Sequence, residues 1–91
     1  MQTLTINVNA AEGLHARPAH LFCALAGNFT ADLQVRNLTT ESEFVNAKSI
    51  LKVLTLGVSK DHAIEVQADG EDEESAIEAI KALIENDFPK D

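Results

Sequence analysis

Strand-like and helix-like apolar patterns alternate along these 91 residues, and their order limits the folds that the chain can adopt. In residues 3–9 every second side chain is apolar, which is typical of a half-buried strand. The same period returns in residues 33–35 and 64–68. The segments between them carry apolar residues at helical spacing. The strands must therefore bury one face each against helices packed over them.

Three helices are predicted between and after these strands. The first spans residues 16–26, with an apolar stripe and a left-handed cap at Gly27. The second follows Asn46 or Ser49, either of which can cap it, and ends near Gly57. The third follows the acidic residues 71–74, whose charges oppose the positive end of the helix dipole. Its buried stripe, the most regular in the chain, consists of Ile77, Ile80, Leu83 and Ile84.

A short edge strand at residues 43–45 completes a hairpin with residues 33–35. The order is then β-α-β-β-α-β-α. We predict an α+β fold, a two-layer open-faced sandwich in which a four-stranded antiparallel sheet is covered on one face by three helices. Residues 1–91 are expected to form a single domain, because no linker, repeat or low-complexity segment divides them.

Composition and charge exclude several classes of function. The net charge of −8 argues against a nucleic-acid binder. Residues 1–68 carry five basic and six acidic side chains, whereas residues 69–91 carry two and nine, so the front of the chain can still receive an anion. No apolar run is long enough to span a bilayer, and residues 1–3 lack the basic start of a signal peptide, so membrane insertion and secretion are not expected. The lone Cys23 is expected to be a buried hydrophobe. We expect a cytoplasmic protein without membrane insertion.

Residues 13–19, Gly-Leu-His-Ala-Arg-Pro-Ala, carry the most informative chemistry. With His15 as N-cap, the backbone amides of Ala16 and Arg17 begin a helix without partners inside it, and Pro18 sacrifices no needed donor. The helix dipole and the Arg17 guanidinium favour an anion, while neutral imidazole is a competent nucleophile. A phosphoryl group on His15 would fit. The alternative is that His15 ends a loop and Arg17 is simply solvated.

The whole seven-residue string resembles the active-site signature of the histidine-containing phosphocarrier protein family, HPr, of the bacterial phosphoenolpyruvate-dependent sugar phosphotransferase system. Residues 46–58 resemble the second signature of that family, and the resemblance covers essentially the whole chain. The extra residues in the hairpin around 37–44 are most similar to the HPr-like domain of the fructose-specific multiphosphoryl transfer protein. Ala24 and Gly27 depart from the family pattern, since many members carry lysines there.

The resemblance implies that His15 is phosphorylated on Nδ1 and that Arg17 assists the transfer. Enzyme I would supply the phosphoryl group and a histidine of an enzyme IIA would receive it. No cofactor is expected, and the chain would be a carrier rather than a stand-alone turnover enzyme. The resemblance also makes the second helix part of a docking surface for these partners, with Leu51 exposed and Ile50 partly in the core. The complete set of expected docking residues is Ala16, His20, Lys48, Ile50, Leu51, Lys52 and Leu54.

Ser49 matches a serine that a kinase phosphorylates in many members of this family. The alternative function is therefore a regulatory paralogue controlled at Ser49, with an HPr kinase/phosphorylase or a transcriptional regulator as partner. Ser49 can equally be the cap of the second helix. A metal site at His15, His20 and His62 is disfavoured, because they lie in different elements without carboxylate or thiol partners at ligand spacing. Nothing in the sequence signals oligomerisation, and a monomer is expected.

Overall fold

The computed structural model describes residues 1–89 and contains seven elements in the predicted order. They are β1 (Gln2–Asn7), α1 (Ala16–Ala26), β2 (Asp32–Asn37), β3 (Val45–Asn46), α2 (Ile50–Leu54), β4 (Ala63–Asp69) and α3 (Glu73–Glu85). The strands form one antiparallel sheet in the order β1-β4-β2-β3. The predicted α+β open-faced sandwich is confirmed.

The strand register aligns apolar side chains in rows across the sheet. Leu4 of β1 lies opposite Val66 of β4, which in turn lies opposite Val35 of β2. Val35 and Val66 are fully buried, while Leu4 on the edge strand is half-buried. Since side chains alternate between the faces of a strand, this register turns the polar residues of the same strands away from the helices.

Helices α1 and α3 close the core over one face of the sheet. The predicted stripe of α1 is buried, and Ile80 and Ile84 of α3 pack into the same cluster. Ile77 and Leu83 are half-buried at its margin. Cys23 lies within the cluster as expected, and burial raises the pKa of its thiol to about 11. A thiol with so high a pKa is a poor nucleophile at neutral pH.

Gly27 is the C-cap of α1, but the left-handed conformation predicted for it is wrong. Gly27 has a φ of −65° in the right-handed region, and its N–H donates to the carbonyl of Cys23 at 3.0 Å. Gly13, with a φ of 65°, and Gly57, with a φ of 59°, do have left-handed backbone. Gly27 continues the helical geometry because the chain leaves α1 through a further turn, in which Phe29 N donates to the carbonyl of Ala26.

The hairpin also differs in detail from the prediction. Strand β3 begins at Val45, whereas the sequence predicted an edge strand at residues 43–45. At Asn37 the backbone N–H donates to the Ser42 hydroxyl at 2.9 Å, and the Asn37 carbonyl accepts from Ser42 N at 3.0 Å. These bonds close a compact loop over residues 38–44. They use the backbone N–H and carbonyl of Asn37, which are then not available to pair with a longer β3.

Two hydrogen bonds fix α2 alongside α1 in the opposite direction. Lys48, just before α2, donates from Nζ to the carbonyl of Phe29, just after α1, at 2.7 Å. Val58, just after α2, accepts from the amide of Leu14, just before α1, at 3.0 Å. The end of α2 therefore lies beside the start of α1. Among residues 1–89, no helix has the length and hydrophobicity needed to cross a membrane.

Candidate functional site

The start of α1 has an unusual backbone. His15 is the N-cap residue, with extended φ and ψ of −129° and 165°. Ala16 follows with a φ of 51°, in the left-handed region, which costs an L-residue about 1 kcal/mol or more. The imidazole of His15 is half-buried, and in the described part of the chain it forms no capping bond to the helix. Its nitrogens are therefore not committed to the helix that follows.

The first amides of α1 are open. As the first residues of a helix, Ala16 and Arg17 have no acceptor for their N–H groups inside it. Within residues 1–89, neither group donates to a backbone carbonyl elsewhere. The first turn contains no acidic residue, and Pro18 contributes no N–H. This combination of free donors and an uncompensated dipole favours an anion beside His15.

The residues before His15 rest on the turn that follows α2. The Leu14 amide donates to the carbonyl of Val58 at 3.0 Å. Gly13 lies so close to Val58 that an added β-carbon would be 2.0 Å from the Val58 carbonyl oxygen. Its φ of 65° also favours glycine. The backbone of Val58, which is distant in sequence, thus fixes the residues that precede His15.

Arg17 is held by the end of the described chain. Its Nη1 donates to the carbonyl of Phe88 and its Nη2 to the carbonyl of Pro89, each at 2.8 Å. The guanidinium lines a cleft of about 360 Å³ between the loop before α1 and residues 87–89. The sequence did not predict these partners, which lie 71 and 72 residues away and carry no local signal.

The exposed apolar residues of α2 form a patch beside this site. Leu51 is 74% exposed, Ile50 38% and Leu54 37%. Leu51 is exposed as expected, whereas the expectation that Ile50 lies partly in the core is wrong, because Ile50 is exposed and does not belong to the core cluster. Lys52 is also exposed on this helix. We call Ile50, Leu51 and Leu54 the α2 patch. That partners dock on it stays a prediction.

The remaining predicted residues are placed differently. His20 is exposed on α1. Lys48 is half-buried, and its amine is directed at the carbonyl of Phe29 rather than at the α2 patch. Ser49 is the N-cap of α2, because its Oγ accepts from the amide of Lys52 at 3.4 Å. Asn46 is excluded from that role, and its side chain instead accepts from the amide of Lys48.

The structure does not bring the three histidines together. Among residues 1–89, no group of three or more His, Cys, Asp or Glu side chains is arranged to hold a metal ion. His15 precedes α1, His20 lies on it, and His62 precedes β4. The chemistry available at the start of α1 is thus that of imidazole, amides and a guanidinium.

Comparisons with known proteins agree with this geometry. Residues 2–86 match the family model described as the PTS HPr component phosphorylation site. The chain is 42% identical over 79 residues to the phosphocarrier protein HPr of Buchnera aphidicola subsp. Schizaphis graminum, covering 87% of this chain and 89% of that protein. A crystal structure of HPr-C-His from Thermoanaerobacter tengcongensis is 41% identical and superposes with a TM-score of 0.93, covering 100% and 99% of the two chains.

A longer relative is similar over one part of its length. The multiphosphoryl transfer protein of Vibrio cholerae is 39% identical over 82 residues, which are 90% of this chain and 20% of that protein. The chain thus spans about a fifth of this relative. The family match nevertheless extends over nearly all of the chain. The protein belongs to the HPr family.

Proposed function

We propose that this chain accepts a phosphoryl group from phospho-Enzyme I on Nδ1 of His15 and passes it to a histidine of an enzyme IIA during phosphoenolpyruvate-dependent sugar uptake. The observation that carries the proposal is the start of α1, where an uncommitted imidazole adjoins the open amides of Ala16 and Arg17. Other features of the site support the same chemistry.

In the transfer, the lone pair on Nδ1 of His15 forms a bond to phosphorus while the phosphorus–nitrogen bond to the donor histidine breaks. The electron pair of the broken bond stays on the donor nitrogen. Open amides and the helix dipole stabilise the charge on the phosphoryl oxygens throughout. Moderate stabilisation suits a carrier, because the same group must later leave for the acceptor.

Arg17 supplies a fixed positive charge in this scheme. Two of its N–H groups are taken by the carbonyls of Phe88 and Pro89, which orients the guanidinium. Within residues 1–89 the remaining N–H groups of Arg17 have no partner and can meet phosphoryl oxygens, and a planar guanidinium suits that geometry. Because its donors are shared with two neutral carbonyls, Arg17 keeps its full charge for the incoming anion.

The α2 patch supports docking of both partners. It lies beside the start of α1, because Val58 after α2 is bonded to Leu14 before α1. Exposed leucine and isoleucine side chains on a small domain favour protein contacts. Ala16, His20 and Lys52 are exposed as well and can extend the contact. Lys48 would contribute only if its bond to Phe29 were released.

We further propose that residues 1–91 act as one HPr-like domain, as a monomer in the cytoplasm. The last two residues of this range lie outside the described part of the chain. The regulatory alternative at Ser49 is not favoured by any contact of that residue, since its hydroxyl serves as the cap of α2.

The test is phosphorylation by phosphoenolpyruvate and Enzyme I, followed by intact mass. We expect one acid-labile phosphoryl group on the wild-type chain and none on His15→Ala, because the nucleophile is removed. The matched control is Ser49→Ala, which should be modified like wild type. An acid-stable phosphoryl group that disappears in Ser49→Ala would overturn the proposal in favour of the regulatory alternative. An unmodified wild-type chain beside an HPr that Enzyme I does phosphorylate would also overturn it.

A further inference from the structure

A buried amide near the hairpin joins three separate segments. Asn37, at the end of β2, is fully buried. Its Nδ2 donates to the carbonyl of Leu56 and to Nδ1 of His62, each at 3.1 Å. Its Oδ1 accepts from the amide of Thr40 at 3.2 Å. One side chain therefore ties together the residues after α2, the turn before β4 and the hairpin loop.

These bonds determine the tautomer of His62. Its Nδ1 faces two donors, the Asn37 amide and the backbone N–H of Ser59, the latter also at 3.1 Å. Neither donor can accept a hydrogen bond through these atoms. Nδ1 must therefore be unprotonated, and the ring proton lies on Nε2. A proton on Nδ1 would face both N–H groups and break both bonds.

The turn that His62 closes is the one that supports the candidate site. Ser59 is bonded to His62 twice, through its amide to Nδ1 and through its carbonyl to the His62 amide at 3.0 Å. Its neighbour Val58 offers the carbonyl that accepts from Leu14 and that lies against Gly13. Leu14 is directly followed in the chain by His15.

We propose that His62, held by Asn37, is a positioning residue for phosphoryl transfer to His15. The inference rests on the proposed function. His62 touches no reacting atom. It holds Ser59, the neighbour of Val58, and the Val58 carbonyl accepts from the Leu14 amide one residue before the nucleophile. Displacing a reacting group by about 1 Å can slow a reaction on the order of 100-fold, so modest loosening of this turn reduces the transfer rate.

Two substitutions of similar shape distinguish the effect of the hydrogen-bond acceptor at Nδ1 of His62 from the effect of the size of its ring. His62→Asn keeps an oxygen acceptor close to the position of Nδ1, whereas His62→Leu removes it. The readouts are the single-turnover rate of transfer from phospho-Enzyme I and the hydrogen-exchange rate of the Leu14 amide by NMR. We expect His62→Leu to transfer about tenfold more slowly and to exchange the Leu14 amide about tenfold faster. His62→Asn should remain within about twofold of wild type in both.

The control in the same turn is Lys60→Ala, an exposed residue, which should behave like wild type. The inference is overturned if His62→Leu transfers at the wild-type rate, or if exchange rises equally at Leu14 and throughout α3, which marks general destabilisation. If His62→Leu does not fold, ¹⁵N NMR of the wild-type ring decides, and a proton on Nδ1 overturns the inference. Failure of wild type to accept any phosphoryl group instead overturns the proposed function, and the amide-exchange comparison still tests the link between His62 and Leu14.

Discussion

The starts of α1 and α3 show two ways in which one chain treats a helix N-terminus. At α3, the Asp72 carboxylate accepts from the amides of Thr30 and Ala31, both at 2.8 Å. Glu73 accepts from the amide of Gly70 and pairs with the amino group of Met1 at 3.0 Å. Within residues 1–89, neither the His15 nor the Asp72 side chain makes a capping bond to its own helix. The difference is that the first turn of α1 contains no acidic residue.

This difference separates a structural helix start from a receptive one. Acids at the start of α3 satisfy nearby amides and oppose the dipole, so an external anion would gain little and be repelled. The start of α1 lacks that compensation and depends on distant backbone for its shape. A helix that leaves its own amides open can receive a phosphoryl group, provided that other segments hold its first residues in place.

The substitution with the largest expected effect tests whether the Val58 backbone supports the start of α1. Gly13→Ala would place a β-carbon 2.0 Å from the Val58 oxygen at a φ of 65°. We expect a loss of about 3 kcal/mol or more in the free energy of unfolding, measured by urea denaturation. Gly57→Ala is the matched control, since Gly57 also has a positive φ but no atom within 4 Å of the added carbon. It should lose only about 1 kcal/mol. Equal losses would contradict the supporting role of Val58.

The next test converts the α1 start into one resembling α3. Ala16→Asp adds a carboxylate to the open amides, while Ala16→Asn adds the same shape without the charge, and both tolerate the left-handed backbone. We expect the Asp variant to accept phosphoryl from phospho-Enzyme I about 100-fold more slowly, through charge repulsion close to the incoming anion. The Asn variant should stay within about fivefold of wild type. Equal rates for the two variants would show that charge at this helix start does not matter.

The smallest effect concerns α3. Hydrogen bonds from Thr30, together with the amide of Ala31, hold the pKa of Asp72 below its ordinary value. A lowered pKa in the folded state means that the carboxylate stabilises the fold above the ordinary Asp pKa, and that this contribution is lost as the pH falls through the lowered value. Asp72→Asn should therefore be less stable than wild type at neutral pH, with a difference that shrinks in acid.

Thermal unfolding across that pH range measures the effect of Asp72→Asn. Glu78→Gln, on an exposed position of α3, is the control and should follow the wild-type curve. A destabilisation of Asp72→Asn that is the same at every pH would mean that shape, and not charge, matters at this helix start.

The sequence contains most of the fold and the chemical core of the site. Alternation at Leu33 and Val35 and helical spacing at Ile80 and Ile84 identify buried faces, because period alone decides which side chains share a face. His15 and Arg17 are recognisable for a similar reason, since an N-cap, open amides and a cation lie within one turn. Local chemistry is sufficient for these features.

Features that depend on distant segments could not be predicted. The left-handed backbone falls at Gly13 rather than Gly27, because a close approach to Val58 decides it. The partners of Arg17 lie at the other end of the chain. Asn37 could have been noticed in the sequence. It follows Leu33 and Val35 at the next inward-facing position of β2, where an apolar residue is expected. A buried polar group in that phase requires partners, but the sequence does not say which.

The position of β1 in the sheet has a consequence for biosynthesis. Strand β1 pairs with β4 alone, so the first strand made must wait for residues 63–68 before it finds its partner. The turn that carries Val58 is likewise made long after His15. A nascent chain that has not yet released β4 from the ribosome has neither the complete four-stranded sheet nor a fixed position for His15. On the proposed function, phosphoryl acceptance then begins only once β4 has left the ribosome, so shorter translation products would not draw phosphoryl groups from the donor.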